Sequence, residues 1–223
     1  MKIKEFKSHT ITRSNPPHKN TYQQYKPFLK HDFCGRCAYC NLRDSAITTY
    51  FEVDHFIPRA ILKRGRMDLL TDYQNLVYAC KKCNVAKGSK FKGDITQAKP
   101  VNEQFYDPVL IDYNTIFYRN ELGLIASDDE KGKRQIKDLK LYRPIHSLAW
   151  LCEELENTRK KLESIINSEM NPIRREKLKE AYNRINETHS KMLPLFIASY
   201  NNDDFDYTTE LEKKDLVSAG AGL

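Results

Sequence analysis

Four cysteines arranged as two C-x-x-C pairs constrain this chain more than any other feature: Cys37-Ala-Tyr-Cys40 and Cys80-Lys-Lys-Cys83, separated by 39 residues. Each pair is a tight turn that presents two thiolates to one side, and two such turns complete a tetrahedral four-sulfur site suited to zinc. Paired thiols in a chain that opens Met1-Lys-Ile-Lys-Glu-Phe-Lys, with no apolar core for secretion, point to metal rather than disulfides. Cys34 lies three residues before Cys37 and offers a second step of the same length, so two choices of ligand remain at this point. Cys152 stands apart on an apolar helical stripe and reads as core. The pairs are further apart than a simple zinc ribbon needs, so something is held between them.

That intervening stretch carries the chemistry. Ile47-Thr-Thr-Tyr-Phe-Glu-Val53 is rich in β-branched and aromatic residues and reads as a strand leading into Asp54-His55 and Pro58. Asn75-Leu-Val-Tyr-Ala79 reads as the returning strand, and a short helix is expected from near Asn84, directly after the last cysteine. In a regular strand Asp54 and His55 point to opposite faces, so they can serve one substrate only where the strand ends. The loop between the strands is basic, with Arg59, Lys63, Arg64 and Arg66 and a short helical possibility at Ala60-Ile-Leu62. Charge follows the same division. Of a net +7, residues 1–100 hold 19 Lys+Arg against 8 Asp+Glu, and the remainder is mildly acidic. A basic half of this kind faces a polyanion.

The run Cys37-x-x-Cys40, Val53-Asp-His-x-x-Pro58, Asn75-Leu, Cys80-x-x-Cys83-Asn-x-x-Lys87-Gly88 resembles the HNH endonucleases in their four-cysteine zinc variant. The resemblance covers roughly residues 34–92 and implies a ββα-metal hairpin. It implies His55 as the general base that deprotonates water, and Asp54 and Asn84 as ligands of one divalent metal, Mg²⁺ or Mn²⁺. It also implies Asn75 as the residue that orients the catalytic loop, and zinc on Cys37, Cys40, Cys80 and Cys83. Asn84 stands where the third histidine of the family name would be, keeping an oxygen donor for a hard metal. These residue types suit phosphodiester hydrolysis on chemical grounds, because a neutral imidazole accepts a proton from water near pH 7. Lys87, Arg59, Arg64 and Arg66 are the candidates for holding phosphate. DNA as substrate follows from the resemblance alone. A small HNH protein with an added C-terminal region also resembles nuclease effectors of anti-phage systems of the Septu and retron-linked kind, which implies an ATPase subunit as partner. The rival expectation is a zinc-stabilised nucleic-acid-binding or complex-assembly module without catalysis.

Outside the motif the chain divides by composition. Residues 1–32 are polar and basic and read as an extended N-terminal arm, ahead of the nuclease module at 33–100. Residues 101–144 suggest two strands around a turn, over 105–118 and 123–126. Residues 145–200 show helical periodicity in two helices joined at Asn171-Pro172, the second interrupted at Pro194, and 201–223 read as a flexible tail. No apolar run approaches the roughly 18 residues that span a bilayer, which gives the expectation of a cytosolic protein without membrane contact. The whole reads as an α+β fold: a zinc-stabilised ββα nuclease module, a small β-containing middle segment and a C-terminal helical hairpin.

Overall fold

A computed structural model describes residues 4–45, 48 and 51–202, which fall into two units, Met1–Tyr142 and Arg143–Leu223. The first unit opens with a two-residue strand, β1 (Lys4–Glu5), followed by a 3₁₀ turn at Tyr22–Tyr25 and helix α1 (Lys26–Asp32). This segment is therefore not the extended arm that its polar composition suggests. Tyr25, Leu29 and Phe33 recur at four-residue intervals, and all three are buried, so a single apolar stripe folds an otherwise hydrophilic stretch. Pro27 sits in the first turn of α1, where its missing N–H is not needed. Cys34 and Gly35, with φ of 54° and 65°, turn the chain out of the helix.

Strands β2 (Phe51–His55) and β3 (Leu76–Cys80) form an antiparallel pair in the register Phe51↔Cys80 to His55↔Leu76. Strand β2 reaches two residues further than Val53, so Asp54 and His55 belong to it. Ile47, Thr49 and Tyr50 lie outside the described residues. Asn75 falls in a 3₁₀ turn, Tyr73–Asn75, just before β3. Between the strands come α2 (Arg59–Leu62) and a second 3₁₀ turn at Met67–Leu70. All five residues of β3 are buried, so this strand is covered on both faces. Helix α3 (Lys81–Lys87) starts directly from its end and stops at Gly88, whose φ of 52° is the left-handed conformation that favours glycine.

The middle segment is less stranded than its β-branched and aromatic content suggests. Tyr113–Thr115 is a 3₁₀ turn, and the only strands described there are the short β4 (Tyr118–Arg119) and β5 (Ile125–Ala126), which with β1 make a sheet of order β1-β4-β5. The segment leading to Leu139 is a helix, α4 (Glu130–Asp138), capped by the Asp129 carboxylate on the Gly132 N–H at 2.7 Å. Its buried face is held by Gln135, which donates to Tyr113 Oη and accepts from the Tyr106 N–H, rather than by an apolar stripe. That polar anchor is why periodicity gave no sign of the helix.

The second unit is an α-hairpin of α5 (Pro144–Ser168) and α6 (Pro172–Asn201), which pack along each other. The Asn171 side chain caps α6 by accepting from the Ile173 and Arg174 N–H groups at 3.0 Å each. Helix α6 runs through Pro194 without stopping there. A helix-interior proline costs about 3 kcal/mol, and Leu195 and Phe196, both buried immediately after it, offset that loss. Cys152 is buried in α5. Among the described residues no helix is long and apolar enough to cross a membrane. The α+β class holds, with the nuclease-type hairpin in the first unit and the helical pair in the second.

Replacing Leu29, which is fully buried, with alanine is expected to lower stability by about 2–5 kcal/mol, read by urea denaturation. A loosely packed arm would leave the midpoint unchanged.

Candidate active site and metal centre

The first C-x-x-C pair sits on a tight hairpin. The Cys37 N–H donates to the Leu42 carbonyl at 2.9 Å, the Asn41 N–H returns to the Cys37 carbonyl at 3.0 Å, and Asn41 takes a φ of 62°. The Ala38 N–H donates to the Tyr78 carbonyl at 2.8 Å, which stitches this turn to β3. The second pair spans the junction of β3 and α3, with Cys80 ending the strand and Cys83 in the first helical turn. All four side chains are buried, and their sulfurs lie within 4.8 Å of one another. The Cys40 and Cys80 sulfurs are 3.8 Å apart, well beyond a disulfide bond of about 2.05 Å. Four buried thiols facing one another, with no basic group among them, fit a tetrahedral zinc, which alone would let them ionise together. Cys34 is exposed and outside the cluster, so the residues placed to hold a metal are Cys37, Cys40, Cys80 and Cys83.

The same geometry sets α3 against the face of β2 that carries Glu52 and Asp54. Those two share a face because side chains alternate along a strand, and Asn84 and Lys87 share a face of α3 because they are three residues apart. Asn84 Nδ2 donates to Glu52 Oε2 at 2.6 Å. A carboxylate can only accept, so the amide nitrogen must face Glu52 and the amide oxygen turns away from it. Lys87 Nζ donates to Asp54 Oδ1 at 2.9 Å and to the His55 carbonyl at 2.7 Å. Tyr39, from between Cys37 and Cys40, donates its hydroxyl to Asp54 Oδ2 at 2.6 Å. Burial pushes the Asp54 carboxyl up from the usual range, against the opposite pull of the Lys87 ammonium and the Tyr39 hydroxyl.

His55, the last residue of β2, points the other way. Its Nε2 is 2.8 Å from the Leu70 carbonyl oxygen. That oxygen accepts only, so Nε2 carries the hydrogen of the neutral ring and Nδ1 keeps a lone pair. Burial holds the imidazole pKa down to about 4, with the Leu70 bond opposing and the Arg59 and Lys87 charges adding to the drop. The ring is thus neutral at physiological pH.

Asn75 brackets the chain after His55. Its Oδ1 accepts from the Ile57 N–H at 2.9 Å, its Nδ2 faces the Ile57 and Leu69 carbonyls at 3.4 Å, and its own carbonyl accepts from the Phe56 N–H at 2.8 Å. Asn102, fully buried, donates to the Phe56 carbonyl at 3.0 Å from the other side.

Asp54, His55 and Asn84 line one open cleft of about 250 Å³, together with Tyr22, Pro58, Arg59 and Gly88. Two of the four residues expected to hold phosphate are placed elsewhere. Lys87 is wholly buried and spent on Asp54, so it cannot reach a nucleic acid. Arg66 is drawn onto Asp68 and the Ile95 and Gln97 carbonyls. Arg59 and Arg64 are exposed, and Arg59 stands at the cleft itself. The motif reading assigned nothing to Tyr22, Tyr39, Glu52 or Asn102. Strand alternation from Asp54 points to Glu52; the others come from sequence positions that carry no sign of the site.

Comparison with known proteins agrees with this geometry. Residues 37–90 match the family model described as HNH endonuclease, and this stretch is an HNH endonuclease domain. The Septu protein PtuB of Bacillus thuringiensis is 34% identical over 68 residues, covering 29% of this chain and 25% of that protein. The chain therefore spans about a quarter of the length of the curated relative it matches. No solved structure matches the chain.

Two measurements follow. Lys87→Met is expected to destabilise the protein by about 3–5 kcal/mol, because it leaves a buried carboxylate without its partner; a phosphate-contacting lysine would instead change nucleic-acid affinity at constant stability. Purified protein is expected to release one zinc per chain when its thiols are modified, and Cys80→Ser should lose both the metal and the cooperative unfolding of the hairpin.

Proposed function

We propose that this protein is a metal-dependent endonuclease that hydrolyses DNA phosphodiester bonds, with His55 as general base. The observation that carries the reading is the His55 ring itself. It is neutral, anchored through Nε2–H on the Leu70 carbonyl, and keeps its Nδ1 lone pair at a cleft it shares with Asp54 and Asn84. An imidazole in that state has the protonation state and the open lone pair that a general base needs.

Asp54 and Asn84 would hold one divalent cation. Their oxygens suit Mg²⁺ or Mn²⁺, which take few protein ligands and keep several waters. Both Asp54 oxygens are already hydrogen-bonded, but each retains a second lone pair. Glu52 fixes the Asn84 amide so that its oxygen, not its nitrogen, is free to ligate. When bound, such an ion neutralises charge on the scissile phosphate and on the leaving oxygen. The protein's own part is orientation and proton transfer. Nδ1 of His55 removes the proton of the attacking water, Asn75 and Asn102 hold the backbone at Phe56 and Ile57, and Arg59 grips phosphate at the cleft, with the exposed Arg64 as a further phosphate contact. A zinc held by the four cysteines would be structural, since four thiolates leave a tetrahedral ion no open position.

The match to a Septu protein supports a role in anti-phage defence and, with the unassigned α-hairpin of the second unit, an assembly with a protein partner such as an ATPase subunit. The non-catalytic alternative, a zinc-stabilised binding module, leaves the gathering of His55, Asp54 and Asn84 at one cleft without a purpose.

A supercoiled-plasmid assay tests the reading. Wild type is expected to nick or linearise the plasmid with Mg²⁺ or Mn²⁺ and not without a divalent ion. His55→Ala and Asn84→Ala should bind DNA but fall by at least about 10²-fold in rate. Equal cutting by wild type and His55→Ala would sink the assignment.

A further inference from the structure

One wall of the cleft comes from outside the HNH domain. Tyr22 precedes the matched stretch, residues 37–90, by fifteen positions, yet its ring stands edge-on to the His55 imidazole, with centroids 4.6 Å apart and planes at 67°. On its other side the Arg59 guanidinium lies 5.1 Å from the Tyr22 ring centroid, and Arg59 Nη1 donates to the Tyr22 hydroxyl at 3.0 Å. Tyr22 thus touches both the base and the exposed arginine at the cleft.

The placement is built rather than incidental. Tyr22 opens the 3₁₀ turn whose last residue is Tyr25, and in such a turn side chains three apart are eclipsed on one face. Tyr25 is buried, packs on Tyr73 with centroids 5.1 Å apart, and accepts the Lys19 N–H at 3.0 Å through its hydroxyl. Tyr73 in turn donates to Asp32 at the end of α1, at 2.6 Å. The turn is therefore pinned to the elements around the ββα hairpin, and Tyr22 is aimed at His55. The ring restrains the one motion that the Nε2–Leu70 bond leaves open, swinging of the imidazole about that anchor. The hydroxyl does a different job: it holds a long, exposed arginine in one direction, lowering the entropy lost when that arginine meets a phosphate.

From this geometry we infer that Tyr22 is a positioning residue of the active site, its ring fixing the catalytic imidazole and its hydroxyl presenting Arg59 to a backbone phosphate of the nucleic acid. The N-terminal segment is then part of the nuclease site. The inference rests on the nuclease reading above for its kinetic consequences, but not for its structural ones.

The two roles separate by substitution in the full-length, zinc-loaded protein. Tyr22→Phe keeps the ring and drops the hydroxyl. It is expected to weaken binding of a fluorescein-labelled duplex, measured by anisotropy with Ca²⁺ in place of Mg²⁺, by about fivefold, and to lower the single-turnover rate at saturating DNA less than Tyr22→Leu does. Arg59→Ala should weaken binding by at least as much, and combining it with Tyr22→Phe should add nothing, since the hydroxyl acts through the arginine. Tyr22→Leu should in addition lower the single-turnover rate, toward about a hundredfold. It should also shift the His55 ring-proton NMR resonances, which Tyr22→Phe should leave in place. Zinc content and thermal midpoint identify any variant that has merely misfolded. Unchanged His55 resonances and wild-type affinity in folded Tyr22→Leu, or multiplicative effects of Tyr22→Phe and Arg59→Ala, overturn the proposal. Should wild type fail to cut DNA, the nuclease reading falls by itself, and the resonance and binding arms still decide the placement of Tyr22.

Discussion

The Lys87 ammonium, removed from water and bonded to the Asp54 carboxylate and the His55 carbonyl, is the interaction on which the site's architecture turns. It joins the last turn of α3 to the end of β2, so the helix cannot shift along the strand without stranding a charge in the interior. Because Asn84 lies one turn earlier on the same helix, its distance from Asp54 is set by the same contact. The Tyr39 hydroxyl completes the arrangement from the hairpin of the first cysteine pair. One buried carboxylate thereby ties the four-cysteine centre, the strand and the helix into a single unit.

Around that unit the protein surrounds His55 with contacts drawn from distant parts of the chain. The Leu70 carbonyl fixes the tautomer, Asn75 and Asn102 hold the backbone just beyond the ring, and Tyr22 stands against its side. Each is a polar or aromatic group on a loop or turn, held by elements that are themselves well packed. An imidazole held in this way keeps its orientation before any substrate arrives, which is where a preorganised site differs from a merely complete one. The α1 segment and the turn before it belong to this support as much as the ββα motif does.

The motif residues were legible in the sequence because the two C-x-x-C pairs and the Asp54-His55, Asn75 and Cys83-Asn84 spacings are local patterns with a local geometry. Elements with a clear period were legible as well, including the cap at Asn171-Pro172. Those that hang on a few side chains or run against a local signal were not. Helix α4 hangs on Gln135, α1 on three apolar residues in a polar stretch, and α6 passes a proline at which the sequence suggests a break. Lys87 and Arg66 show the same limit at the site. A lysine and an arginine in a basic segment read as phosphate contacts, but burial and the partners within reach give both of them structural work.

By itself, then, the sequence determined the α+β class, the spacing of the two cysteine pairs, and the residues of the HNH-type motif, since all of these follow from residue types a few positions apart. The choice of Cys37 over Cys34 as a member of the cysteine cluster waited on the tertiary structure, because thiols three residues apart look alike until their sulfurs are placed. So did the pairing of Lys87 with Asp54, the amide orientation imposed on Asn84 by Glu52, and the arrival of Tyr22 beside His55. These are contacts between residues tens of positions apart, and chain closure and burial, rather than local pattern, decide which of many equivalent polar side chains meet.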